Sequence, residues 1–587
     1  MEVNRLFDLL PRYKQTFKPK EDVVAGKENA EWIKYDIDRF IGIANSISYG
    51  FLKLGIRKGD KVATISPNCP EWNFLDFGIL QTGAIHVPIY PTISESDYQF
   101  ILKHAEVKYV FVAGKELLNK IEDILPEIPS LKGIYTFRHI HEIAHLQDLI
   151  DLGNENPRAE KLEEIKSGIK EEDVATLIYT SGTMGSPKGV MLTHKNILSN
   201  VKILYPIFPV DETCTALSYL PMCHVYERTN FYIYMYLGLS VYYAENMGKI
   251  ADNIREVKPD ILTTVPRLLE KVYDKIIAKG RKLSGIKRQL FFWAVNLGKH
   301  YDVKGKSPFY KAQLAIANKL IFSKWREALG GNMRVIVSGG AALQARLGKV
   351  FTAAQIPVLE GYGLTETSPV IAVSTLEKNG RKFGTVGPVL KNLDVKINQD
   401  GEICVKGPSV FVGYFKQEDM TRAAIDEEGY FHTGDLGQLE AEGQLRITGR
   451  KKEIFKTSLG KYISPALLEN KFKESPFIDS VLVVGENQKY AAALLVPDFD
   501  HLRTYCDIKG IEYKSDAEIV EMPEIRKRFQ KEIDQYNKQF GKTEQLMRFI
   551  ILSTSWSVES GELTASLKLR RNHIMEKYQQ EIKELFK

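Results

Sequence analysis

The sequence predicts an α/β protein of at least two domains: a large N-terminal part on largely parallel sheets, a small β-rich part, and a small C-terminal α+β part. Three observations carry this. Up to about residue 380, apolar strand-like runs alternate with helical patterns, as in a parallel sheet covered on both faces. From about Lys382 the texture changes to short strands between glycine turns, at Gly384, Gly387, Gly401, Gly429 and Gly443. A chain of 587 residues is also too long for a single core.

In chain order, Lys61–Ser66 and Tyr109–Ala113 read as buried strands, with helical patterns at Trp72–Leu80 and Asp97–His104. Val174–Ile178, Asp260–Val265 and Arg334–Ser338 are further strand-like runs, and no internal repeat is visible. A charged stretch, Thr448–Lys456, leads into a tail with βα patterning, whose strands are Val481–Val484 and Ala491–Val496. The boundary falls at about 450, dividing 1–449 (with 382–449 the β-rich subdomain) from 450–587. No long flexible linker separates the parts, so a definite hinge is expected.

Composition is that of a globular protein, 44% hydrophobic and 26% charged, which argues against disorder. Cys69, Cys214, Cys223, Cys404 and Cys506 form no CxxC pair, which excludes a disulfide framework and a zinc site and fits a reducing, cytoplasmic setting. The acid-bearing N-terminus does not read as a signal peptide, and no run approaches the ~20 apolar residues of a membrane span.

The most informative stretch is Thr180-Ser-Gly-Thr-Met-Gly-Ser-Pro-Lys-Gly-Val190, directly after the strand-like Val174–Ile178. It packs three glycines and four hydroxyl residues into eleven positions and carries Lys188. Glycines let backbone N–H groups converge on an anion, hydroxyls donate further hydrogen bonds, and the lysine adds charge, which suits a polyphosphate. It is not the P-loop of kinases and GTPases, because Gly189 follows the lysine where a magnesium-holding Ser or Thr would stand.

Arg334–Leu343 is a strand running into the small-residue turn Gly339-Gly-Ala341, where a flat base can approach the backbone. Leu359–Pro369 sets Tyr362, Thr365 and Glu366 within five positions: a ring to stack, a hydroxyl for a phosphate, a carboxylate for a hard cation. Tyr430–Gly437 offers Asp435 on a turn, where its carboxylate either accepts from ribose hydroxyls or caps the turn.

These strings, with Ile447–Arg450 and Gly561–Arg571, resemble in content and order the adenylate-forming superfamily of acyl-CoA synthetases, luciferases and peptide-synthetase adenylation domains. The similarity spans roughly residues 20 to 580 and is closest to long-chain fatty acid–CoA ligases, on Leu220–Arg228, Phe431–Asp435, Arg450–Lys456 and Leu563–Lys568. It implies the fold of that superfamily, with stacked α/β sheets in the large domain and a mobile C-terminal domain. It implies two half-reactions, with ATP and coenzyme A as co-substrates and Mg2+ as cofactor: a fatty carboxylate attacks the α-phosphorus of ATP, then the thiol of coenzyme A displaces AMP.

By the same resemblance Thr180, Ser181, Gly182, Thr183 and Lys188 would hold the β- and γ-phosphates. Thr365 would meet the α-phosphate, Glu366 and Thr183 would hold the metal, and Gly340, Ala341 and Tyr362 would frame adenine. Asp435 and Arg450 would grip the ribose, and His224 would line the acyl carboxylate site. Lys568, in a Ser-Leu-Lys setting rather than the Ser-Gly-Lys common elsewhere, corresponds to the adenylation lysine; Lys452 matches the hinge, and Lys456 a lysine that enters after rotation. An acyl-AMP ligase or a synthetase charging a carrier protein's phosphopantetheine is the alternative, and a homodimer is compatible with either.

Between residues 281 and 326 eleven bases accompany a single acid, Asp302. Ile286, Leu290, Trp293, Ala294 and Leu297 recur there at helical spacing, as do Phe309, Ala312, Ile316 and Leu320. Two readings stand: a peripheral contact with the inner face of an anionic membrane, or helices packed on the main domain with their lysines exposed. No nucleic-acid motif accompanies the basic run. The aromatic stretch Phe231–Tyr236 reads equally as an acyl-tunnel wall or as core.

Overall fold

The computed structural model describes residues 2–180, 187–558, 560–564 and 568–587. The chain divides into two compact units, the first made of residues 1–396, 404–433 and 440–445, the second of 397–403, 434–439 and 446–587.

Two sheets dominate the first unit. Among the described residues one has eight strands, in the order β14 (Val370–Val373), β13 (Val358–Gly363), β12 (Val335–Ser338), β11 (Ile261–Thr264), β9 (Thr215–Ser218), β10 (Ser240–Tyr243), β1 (Val24–Glu28) and β2 (Glu31–Tyr35). It is parallel from β13 to β1, and its two outermost strands are antiparallel. The other has seven, β17 (Gly413–Tyr414), β8 (Lys188–Thr193), β7 (Val174–Thr180), β4 (Ile85–Ile89), β3 (Lys61–Ile65), β5 (Val107–Val112) and β6 (Gly133–Thr136). It is parallel from β7 to β6, with β8 and β17 added antiparallel.

The inner strands are nearly continuous apolar runs because helices cover both faces. Val62, Ala63 and Ile65 of β3 and Val110, Phe111 and Val112 of β5 are all fully buried. The helix Pro70–Gln81 starts on proline, whose fixed φ suits the first turn, and is buried along almost its whole length. The expected strands at 61–66, 109–113, 174–178, 260–265 and 334–338 all form, with ends shifted by a residue or two.

The glycine-punctuated region becomes a four-stranded sheet, β15 (Asp394–Ile397), β16 (Glu402–Lys406), β18 (Phe431–Leu439) and β19 (Leu445–Arg450). In the second unit β20 (Phe455–Lys456) pairs with β21 (Tyr462–Ile463), and β22 (Ile478–Val484), β23 (Ala491–Pro497) and β24 (Leu546–Ile551) form a three-stranded sheet. Strand alternation splits its core: Val481, Val483 and Leu495 pack with Phe472 and Phe529, while Leu482, Leu494 and Val496 face Trp556 and Ile574.

The basic segment folds as helices Gly285–Lys299 and Pro308–Ala317, followed by one π turn. Their apolar residues divide. Ala294 and Leu297 join the core, whereas Ile286, Phe309, Ile316 and Leu320 are 72%, 73%, 52% and 47% exposed. No helix among the described residues is long and apolar enough to cross a membrane.

Candidate active site

The glycine- and hydroxyl-rich loop joins two antiparallel strands. β7 ends at Thr180 and β8 begins at Lys188, and these two residues are Cα partners across the hairpin base. Ser181, Gly182 and Thr183 lie outside the described residues. Behind the base, the buried Tyr179 shares a 2.8 Å hydrogen bond with His104 Nδ1. On the free edge of β8, Gly413 and Tyr414 add a short antiparallel strand opposite Met191 and Val190.

Tyr414 joins two motifs distant in the chain. The Lys188 Nζ lies 4.8 Å from its ring centroid, a cation–π distance. Its hydroxyl donates a 2.9 Å hydrogen bond to Glu366 Oε1, and the Phe411 N–H donates to the Glu366 carbonyl at 2.8 Å. Thr365 and Glu366 occupy a single 3-10 turn after β13, Thr365 buried and Glu366 half-buried. Asn200, from the helix His194–Leu204, pins this turn by donating to the Thr367 carbonyl and accepting from the Val370 N–H. A bulge separates Tyr362 from Gly363, where a Cβ would sit 1.8 Å from the Pro369 carbonyl oxygen, so only glycine fits.

β12 and β13 run side by side with Ser338 opposite Glu360. The turn after β12 therefore lies beside the strand bearing Tyr362. Gly340, at φ +79°, and Ala341 are exposed there, and Tyr362 is half-buried.

His224 caps the helix Val225–Leu237: its Nδ1 accepts the Tyr226 N–H at 3.1 Å, which places the proton of the neutral ring on Nε2. Tyr226 donates its hydroxyl to the Val337 carbonyl at 3.0 Å, and its ring lies where a Cβ on Gly339 would meet it at 3.1 Å. The histidine segment and the small-residue turn thus pack together.

The same helix carries two buried charged residues, Glu227 and Arg228, at the end of the Leu220–Arg228 string. Glu227 is buried and accepts from Thr263 Oγ1 at 2.7 Å; desolvation outweighs its bonds from Ser218 and Thr263 and pushes its carboxyl up to about 7. Arg228 is buried on Asp76 at 2.5 Å and donates to Thr176 of β7 at 2.7 Å and to Tyr232 at 2.9 Å. His86 completes the cluster at 2.6 Å from Asp76. This network ties the His224 helix to the strand that leads into the loop. Phe231, Tyr232, Ile233, Tyr234 and Met235 are all buried in the core cluster of the first unit.

In the second unit, Asp435 is 6% exposed and accepts from Arg450 Nε at 2.8 Å. Neighbouring Lys451 pairs with Glu402 at 2.8 Å and Asp400 at 2.6 Å. Lys452 is exposed in the turn that follows, and Lys456 is exposed on β20 with its Nζ 5.5 Å from the Tyr462 ring centroid. Lys568 is exposed; its N–H donates to Thr564 Oγ1 at 3.0 Å and its carbonyl accepts from the Thr564 N–H at 2.8 Å. Of the neighbouring arginines, Arg570 is exposed, while Arg571 is held by Glu469 at 2.5 Å and Glu453 at 3.4 Å. Arg571 is thereby a structural cation.

Lys188 and Glu366 are thus brought together in the first unit, and Asp435 and Arg450 in the second. Lys452, Lys456 and Lys568 are exposed.

Residues 29–415 match the AMP-binding enzyme family, and residues 452–587 match the AMP-binding enzyme C-terminal domain. A long-chain-fatty-acid–CoA ligase of Mycobacterium bovis is 32% identical over 544 residues, covering 92% of this chain and 90% of that protein. A peroxisomal long-chain acyl-CoA synthetase of Arabidopsis thaliana is 32% identical over 564 residues, covering 90% of this chain and 78% of that protein. Among solved structures, the adenylation domain of a carboxylate reductase from Mycobacterium chelonae aligns with a TM-score of 0.79 at 21% identity, over 99% of this chain and 91% of that one, and shares the fold. The chain belongs to the adenylate-forming, AMP-binding enzyme family, within its long-chain fatty acid–CoA ligase group.

Proposed function

We propose that this protein activates a long-chain fatty acid with ATP, giving acyl-AMP and pyrophosphate, and then transfers the acyl group to coenzyme A, releasing AMP. The observation that carries this is the meeting of Lys188 and Glu366 on Tyr414 beside the Gly- and hydroxyl-rich hairpin.

The first step brings a carboxylate onto a polyanion, so positioning and charge neutralisation supply most of the catalysis. Lys188, Thr180, Ser181, Gly182 and Thr183 hold the β- and γ-phosphates, and Thr365 meets the α-phosphate. Gly340, Ala341 and Tyr362 frame the adenine. Asp435 takes the ribose hydroxyls, oriented by Arg450. His224 lies against the acyl carboxylate. Lys568 bridges that carboxylate and the α-phosphate while the new P–O bond forms and the bond to pyrophosphate breaks.

The donor set suits magnesium: a half-buried carboxylate, one oxygen of which is oriented by a phenol, beside a phosphate loop rich in hard oxygen ligands. Glu366 and Thr183 would hold the ion, which supplies further neutralisation of the phosphates. In the second step the thiol of coenzyme A attacks the acyl carbon and AMP leaves. Lys452, at the boundary near residue 450, is the hinge, and Lys456 serves this half-reaction.

The exposed face of residues 281–326 is a contact for anionic lipid, from which the fatty acid is drawn. Its support is the exposure of Ile286, Phe309, Ile316 and Leu320 beside basic residues. Arg326 takes no part, since it donates to Asn318 and to the Ala354 carbonyl. Binding to phosphatidylglycerol vesicles but not phosphatidylcholine vesicles, lost in an Ile286→Ser/Phe309→Ser variant, is the expected result; equal binding to both would refute it.

The test of the ligase reading is pyrophosphate release across fatty acids of increasing length, with and without coenzyme A. Steady turnover that peaks with long chains and yields acyl-CoA is expected. A stall near one equivalent of acyl-AMP despite coenzyme A would point to a carrier-protein acceptor.

A further inference from the structure

We infer that Tyr414 is a positioning residue of the nucleotide site, its ring seating the Lys188 ammonium and its hydroxyl setting the orientation of the Glu366 carboxylate. The inference rests on the roles proposed above for Lys188 and Glu366.

Backbone hydrogen bonds fix where Tyr414 sits. The Val412 N–H donates to the Met191 carbonyl at 3.2 Å and the Phe415 N–H to the Gly189 carbonyl at 2.8 Å, so the segment is bonded along the strand that begins at Lys188. The Tyr414 N–H donates to Thr421 Oγ1 at 2.9 Å, which anchors the segment from the helix Glu418–Ala424. Three residues earlier, Phe411 holds the Glu366 backbone. One short edge segment therefore grips both the start of β8 and the turn carrying Glu366.

The side chain completes the link. Tyr414 is 5% exposed, and its ring packs edge-on against Phe411, with centroids 4.8 Å apart. The phenol hydroxyl donates to the Glu366 carboxylate, which can only accept. With Oε1 oriented by that bond, the plane of the Glu366 carboxylate is set before any cation arrives. Outer partners of this kind commonly tune metal affinity by about 10–100-fold. The ring face meanwhile attracts the ammonium of Lys188 through its quadrupole.

The test is Mn2+ binding to the full-length protein, followed by electron paramagnetic resonance in the presence of a non-hydrolysable ATP analogue. Wild type, Tyr414→Phe, Tyr414→Leu and Glu366→Gln are compared, with thermal melts to verify folding. Tyr414→Phe keeps the ring and loses the hydroxyl: Mn2+ affinity falls about tenfold, while metal-free analogue binding and the fatty acid KM stay within about twofold. Tyr414→Leu also weakens metal-free analogue binding, by about threefold. Wild-type Mn2+ affinity in Tyr414→Phe overturns the inference, as does equal loss of metal, nucleotide and fatty acid binding, which would mark a packing role only. Unchanged Mn2+ binding in Glu366→Gln instead overturns the metal role of Glu366, and separates that failure from one specific to Tyr414.

Discussion

In the first unit the Arg228 guanidinium is buried against Asp76, Tyr232 and Thr176, whereas in the second Lys452, Lys456 and Lys568 are exposed. The two settings carry different costs. A buried ion is tolerated only while its partners remain, so the cluster acts as a rigid joint between the His224 helix and β7. An exposed charged side chain contributes little to folding, and its removal should leave the fold intact. Arg228, like Arg571 of the second unit, is therefore scaffold charge, whereas the exposed lysines can be substituted to test a reaction step.

The largest effect should come from the buried joint. Arg228→Ala leaves the buried Asp76 without its cation, with only His86 and Tyr232 beside it, and an unfolding free energy lower by about 3–5 kcal/mol is expected in urea titrations. A loss below ~1 kcal/mol would break the contrast.

Lys568→Ala should act the opposite way, on rate and not on stability. Acyl-AMP formation should fall by about 10²–10³-fold, as when a group that stabilises transition-state charge is removed, with the urea midpoint unchanged. Thioester formation from supplied acyl-AMP should persist. A shifted midpoint, or equal loss of both half-reactions, would contradict this assignment.

Glu227 probes burial without an ion pair. Its folded carboxyl, raised from 4.5 to about 7, binds a proton more tightly than in the unfolded chain. The associated stability is full below pH 4.5 and is lost as pH rises through 7, a change of about 3 kcal/mol. Glu227→Gln should flatten that decline, measured as urea midpoints at pH 5 and pH 8; an unaltered slope would show that other groups set it.

Asp435 sharpens the comparison, since it is buried and paired yet belongs to the second unit. Asp435→Ala should raise the KM for ATP roughly 10-fold or more, the loss of a hydrogen bond to a charged group, with kcat changed less. An unaltered KM would mean that its carboxylate serves Arg450 and no ligand.

Much of this was legible in the chain. The run from Thr180 to Val190, the Gly-Tyr-Gly-Leu-Thr-Glu string ending at Glu366 and the Gly-Asp pair at Asp435 were legible because each is a short contiguous string of residue types, although Asp435, expected on a turn, lies within β18. The alternation of apolar strands and helices was readable for the same reason, since periodicity is a property of successive residues. The apolar stripe of residues 281–326 was readable as periodicity but not in its fate: Ala294 and Leu297 are covered, Ile286 and Phe309 are not. That depends on what the rest of the chain lays against each helix.

The sequence by itself determined the family chemistry, the elements and the motif residues, because these are written in short contiguous strings. Tertiary structure decided the pairings: Tyr414 beneath Lys188 and on Glu366, Arg228 on Asp76, and Arg571 on Glu469, which removes that arginine from competition with Lys568. Each unites residues far apart in the chain. Only packing in three dimensions supplies the burial and the partner that fix what a charged or phenolic group does.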